Sequence, residues 1–122
     1  MNRVVHFEIP SDDPEKSQEF YGKCFGWTMN KWGEEAYWLA TTGSDDQPGI
    51  NGAIMKKKDP RQPVVNTIQV ESIEKAIFRI ESYGGQIVVP KTAIPGVGWL
   101  AYFMDPDKNI FGIHQLDPTA SL

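Results

Sequence analysis

Val4-Val5-His6-Phe7-Glu8-Ile9 reads as a β-strand with two chemically different faces. Side chains alternate across a strand, so Val5, Phe7 and Ile9 share one side while Val4, His6 and Glu8 share the other. The apolar side suits a covering helix. The other side sets an imidazole beside a carboxylate, the one such pairing in the chain.

Outward from this strand the pattern is orderly. Asp13 before Pro14, then Glu15, is a helix start: a capping carboxylate, a proline at the first helical position and an acid at the positive end of the dipole. Ser17, Phe20, Tyr21 and Cys24 fall on one helical face, and Gly26 is placed to end the helix. Strand-like stretches follow at about 27–32, 36–42 and 50–57, separated by Gly33 and the turn-rich run 43–49. The sequence then begins again. A strand at 64–71 leads to Ser72, which caps a helix with Ile73, Ile77 and Ile80 on one face, ended by Gly84-Gly85. Strands at about 86–90, 98–104 and 109–116 follow, the last two joined by the tight turn Asp105-Pro106-Asp107-Lys108-Asn109.

The halves superimpose at an offset of 59 residues. Glu15-Lys16 falls on Glu74-Lys75, Gly26 on Gly85 and His6 on Val65. Trp38-Leu39-Ala40 matches Trp99-Leu100-Ala101 after a two-residue slip, and Met55 realigns with His114. The expectation is one α+β domain over residues 1–122, built from two tandem β-α-β-β-β units at about 4–57 and 64–116.

Composition narrows the function classes. A net charge of −4 and a pI near 5.1 argue against nucleic acid, which calls for a basic face. The apolar runs are too short to span a bilayer, and Met1-Asn2-Arg3 leads into a strand without a signal-peptide core. The single cysteine, Cys24, on the apolar helical face, reads as structural and fits a reducing compartment, so the expected location is cytoplasmic. Nucleotide-binding glycine fingerprints are absent. Pro95-Gly96-Val97-Gly98-Trp99 reads either as a β-turn entering a packed strand or as a lip presenting Trp99 to a ligand.

The chain resembles the vicinal oxygen chelate superfamily, which groups glyoxalases, bleomycin-resistance proteins and dioxygenases. The resemblance runs over about 4–116. It rests on His6, the helix end Phe20-Tyr21…Phe25-Gly26-Trp27, Gly84-Gly85, and Asp105-Pro106-Asp107-x-Asn109. It implies a curled mixed sheet around a central cavity, helices outside, and a small molecule within. Members often dimerise, so a homodimer is expected.

It also implies a divalent metal held by one residue from the first and last strand of each unit. His6 stands at one such position; the others fall at Val65, about Ala53, and Gly112, none a side-chain ligand. As an ordinary glyoxalase I site this is broken. A shifted set of His6, Glu8 and His114 would suit iron, manganese, zinc or nickel. The reading adopted is a pocket with no metal cofactor, lined by hydrogen-bonded His6 and His114. Two functions follow. One is a glyoxalase-like lyase, isomerase or dioxygenase, with Glu8 as catalytic base. The other is a metal-free ligand- or antibiotic-sequestering protein, with Trp38, Thr67, Gln69, Trp99 and Tyr102 lining the pocket.

Overall fold

The computed structural model describes all residues, Met1–Leu122. Ten elements follow one another: β1 (Arg3–Ser11), α1 (Pro14–Phe25), β2 (Thr28–Lys31), β3 (Tyr37–Thr41), β4 (Asn51–Lys56), β5 (Val65–Gln69), α2 (Ile73–Ser82), β6 (Gln86–Ile94), β7 (Gly98–Met104) and β8 (Ile110–Leu116). The order β-α-β-β-β occurs twice, and the class is α+β. The chain divides into two compact units, His6–Val65 and Met1–Val5 with Asn66–Leu122, called here the first and second units.

In the first unit the strand order is β2-β3-β4-β1. β1 runs parallel to β4, setting His6 opposite Asn51 and Glu8 opposite Ala53, while β3 is antiparallel to both β2 and β4. Asp13 caps α1 by accepting from the Lys16 amide at 3.3 Å, and Pro14 opens the helix. Gly26 ends it at φ 74°, a left-handed conformation that glycine adopts without steric cost.

The inward face of α1 differs from the expected one. Pro14, Ser17, Gln18, Tyr21 and Gly22 are half-buried, whereas Phe20 is 56% exposed and Cys24 lies open. The cause is aromatic packing at the helix end. Tyr21 stacks on Trp27 at 4.9 Å and 10°, Trp27 meets Phe7 at 5.5 Å, and this column turns Phe20 outward. Trp27 is thus part of the packing between α1 and β1.

The second unit repeats the order as β6-β7-β8-β5, with β5 parallel to β8 and β7 antiparallel to β6 and β8. Ser72 caps α2 by accepting from the Lys75 amide. Ile73, fully buried, together with Ala76, Ile77 and Ile80 covers Val70, Ala101 and Ile113, with Ile68, Trp99 and Phe103 at the margin. Burying such side chains stabilises by about 1.5–3 kcal/mol each, so α2 is anchored by its apolar face. The inward residues of the helices, 14, 17, 18 and 21 against 73, 76, 77 and 80, are themselves 59 apart.

β6 runs four residues past its expected end. It continues through Pro90 to Ile94, with register irregularities on either side of Val89. An edge strand tolerates proline, because its outward amide needs no partner. The stretch weighed as a lip is a hairpin. Val97 donates to the Ile94 carbonyl at 2.9 Å, with Pro95 and Gly96 (φ 75°) at the central turn positions. No helix is long and apolar enough to cross a membrane.

Candidate functional site

β1 supplies the centre of the site. Phe7 points to the α1 side, so His6 and Glu8 take the opposite face of the sheet. There they converge on a residue that sequence reasoning missed, Tyr37, the first residue of β3. Its hydroxyl donates to Glu8 Oε2 at 2.9 Å and lies 2.9 Å from His6 Nε2. The parallel register of β1 on β4 and the antiparallel register of β3 on β4 carry Tyr37 across to this face, opposite Met55.

The direction of these bonds follows from proton counting. A phenol carries one proton. With Glu8 a carboxylate, which only accepts, that proton goes to Glu8, and the phenol oxygen accepts from His6 Nε2–H. The His6 tautomer is therefore set: protonated at Nε2, with a lone pair at Nδ1. Burial holds the His6 imidazole below its ordinary value of 6.5, and the neighbouring Glu8 charge opposes that shift. His6 is accordingly a neutral ring at neutral pH. Glu8 is only 8% exposed, a setting in which a carboxylate needs the hydrogen bonds it receives.

The other expected site residues divide by strand parity. In the second unit Ala101, Ile113, Trp99 and Phe103 pack on the helix side, so Thr67, Gln69, Tyr102, Gly112 and His114 take the opposite side. Two close approaches agree. A Cβ added at Gly112 would lie 2.9 Å from Thr67 Oγ1 and 3.4 Å from Tyr102, and one at Gly98 would lie 3.0 Å from His114 Nε2. Trp99 is held on the helix side. Its indole N–H donates to Asp117 at 3.0 Å, and the Lys91 ammonium, ion-paired with Glu74, sits 4.2 Å over its ring. Trp38 alternates with Tyr37 and so lies on the Phe7 side, paired in register with Lys31 and Ile54. Both tryptophans thus stand on the face away from the polar residues.

A divalent metal does not fit the residues present. No group of three or more His, Cys, Asp or Glu side chains is placed to hold one. His6 and Glu8 belong to the first unit and His114 to the second. Of the positions that the resemblance marks, Val65 and Ala53 are apolar and buried, and Gly112 is pressed against Thr67, itself 3% exposed. Even a methyl group at 112 would crowd the Thr67 hydroxyl.

Comparisons with known proteins agree with this architecture. Residues 3–43 match the family described as bleomycin resistance protein-like N-terminal. A protein named "Putative glyoxylase CFP32", from Mycobacterium bovis and from Mycobacterium tuberculosis, is 23% identical over 113 residues. That match covers 88% of this chain but 43% of the relative, so the chain spans less than half the length of these relatives. Among solved structures, methylmalonyl-CoA epimerase from Mycobacterium tuberculosis superimposes with a TM-score of 0.66 at 12% identity, covering 94% of this chain and 88% of that one. A glyoxalase/bleomycin resistance protein/dioxygenase superfamily member from Vibrio splendidus 12B01 gives 0.66 at 19% identity, covering 93% and 97%. The two β-α-β-β-β units and these superpositions give the chain the fold of the glyoxalase/bleomycin-resistance/dioxygenase (vicinal oxygen chelate) proteins, and residues 3–43 resemble the bleomycin resistance protein-like family within it.

Proposed function

We propose that this protein binds a small organic molecule on the sheet face that carries His6, Glu8 and Tyr37, and that it does so without a divalent metal. The observation that carries the reading is the hydrogen-bonded chain Glu8–Tyr37–His6, in which the polar groups are engaged with one another rather than splayed toward an ion. Such a preorganised polar cluster on an otherwise apolar strand is what fixes a ligand's orientation in small-molecule sites. In this reading the protein sequesters its ligand, in the manner suggested by the bleomycin resistance protein-like match over residues 3–43. Family resemblance makes a homodimer the working form, which light scattering tests.

One observation favours chemistry over sequestration. A neutral imidazole with a lone pair at Nδ1 is a competent proton acceptor, and the carboxylate behind Tyr37 would stabilise the imidazolium. Lyase or isomerase chemistry on a substrate with adjacent oxygens is the second reading. The deciding experiment screens small organic molecules by thermal shift in parallel, in chelator and with added zinc, nickel, manganese and iron(II). Stabilisation that rises with ligand concentration and is unaffected by metal supports metal-free binding. Hits that vanish in chelator refute it. Turnover of a bound compound decides for the enzyme.

A further inference from the structure

We infer that the Tyr37 hydroxyl takes the place of a metal ion in joining His6 to Glu8, and that Tyr37 is thereby the positioning residue of the site. The inference deepens the proposed function and rests on its choice of site. In this superfamily's ordinary arrangement an ion would gather first-strand donors such as His6. Here a phenol gathers two of the three shifted candidates: it accepts from His6 Nε2 and donates to Glu8 Oε2, each at 2.9 Å. Those are the atoms that two ligands to a common ion would present.

A hydroxyl and an ion differ in what they impose. An ion would take a lone pair from each side chain and leave the imidazole's remaining nitrogen protonated. The phenol does the reverse. It requires a proton on Nε2 and leaves the lone pair on Nδ1. The atom offered to a ligand is therefore a hydrogen-bond acceptor. The matching ligand group is an N–H or O–H donor: a hydroxyl, amide or ammonium rather than a vicinal dioxygen chelator. Tyr37 also places a neutral group between the ring and the carboxylate, so Nε2 and Oε2 are engaged by the phenol and cannot both turn to a shared ion while the chain is intact.

The test uses the whole chain and needs no organic ligand. A long-range proton–nitrogen correlation spectrum at about pH 8 reads the His6 tautomer directly, with His6→Gln identifying its signals. Cobalt(II), titrated into wild type and Tyr37→Phe, reads donor availability through its d–d absorption. Wild type should show the Nε2–H tautomer and no saturable cobalt site. Tyr37→Phe should lose the tautomer preference and bind cobalt at least about tenfold more tightly, and Glu8→Gln added to it should abolish that gain. A wild-type His6 protonated at Nδ1 overturns the positioning role even if the variant fails to fold. Equal cobalt affinity in wild type and variant overturns the replacement. Because both readouts are taken on ligand-free protein, a failed organic-ligand screen would sink the proposed function while leaving this inference standing.

Discussion

Removing the Tyr37 hydroxyl tests how much stability the polar chain confers. Tyr37→Phe keeps the ring and deletes one oxygen that makes two hydrogen bonds. A bond to a charged group contributes about 1.5–3 kcal/mol, and one between neutral groups about 0.5–1.5 kcal/mol. Half-buried His6 can recover water at Nε2, so its share falls at the lower end. Glu8 is too buried to rehydrate fully but keeps other contacts, which moderates its loss. The expected cost is about 2 kcal/mol, which for a chain of this size lowers Tm by roughly 6–10 °C. Urea unfolding at about pH 7.5, followed by circular dichroism, measures it, with an unchanged slope showing that the native state stays compact. In a Glu8→Gln background the same substitution should cost about 1 kcal/mol less, because the charged bond is already gone. A loss below about 0.5 kcal/mol in the parent background would mean that the hydroxyl is solvated rather than engaged, and the reasoning would fail.

Three further outcomes are expected. Burial depresses the His6 pKa in the native state, so below about 6.5 the unfolded chain binds more protons than the folded one. Stability at that group is complete above 6.5 and is lost as pH falls toward the depressed native value; urea titrations at several pH values should show this slope, and His6→Gln should remove that component. Gly98→Ala would put a methyl 2.0 Å from the Gln115 carbonyl oxygen, forcing β7 from β8; a loss of about 3 kcal/mol or more is expected, and near-native thermal stability would contradict the register. Cys24 is exposed, so iodoacetamide should alkylate the folded protein readily and leave its Tm unchanged; protection until denaturant is added would restore the expectation of an inward Cys24.

Strand parity and the internal repeat made much of the fold readable. The two faces of β1, both helix caps and the final strands are local or periodic features, and each appears near its expected position. The inward face of α1 was harder. Read alone, Phe20 and Cys24 look like a continuation of its apolar stripe. Carried back 59 positions, the face of α2 instead marks 14, 18 and 21, with Gln18 and Pro14 in place of isoleucines. Weak amphipathicity hid in α1 what was plain in α2. Trp38 and Trp99 were attractive as stacking surfaces, but the same parity rule that orients His6 sends Trp38 away from Tyr37 and Trp99 away from Tyr102. Tyr37 itself was missed because its partners lie 29 and 31 residues away in sequence. Only the pairing of β3 on β4 and β4 on β1 brings them together, and no local pattern records that register.

The placement of the tryptophans divides the chain optically. Trp27, Trp32 and Trp38 all lie in the first unit, and Trp99 is the sole indole of the second. Trp99 carries a cation over its ring and a carboxylate on its N–H, two charges that act on its excited state from fixed positions. Trp27, stacked almost parallel on Tyr21, is instead a source of coupled near-ultraviolet circular dichroism. Emission from a variant keeping Trp99 alone would follow the melting of one half, while the near-ultraviolet signal of the stack follows the other. The protein thus contains its own pair of independent reporters, able to show whether the duplicated halves unfold as one cooperative body or in sequence.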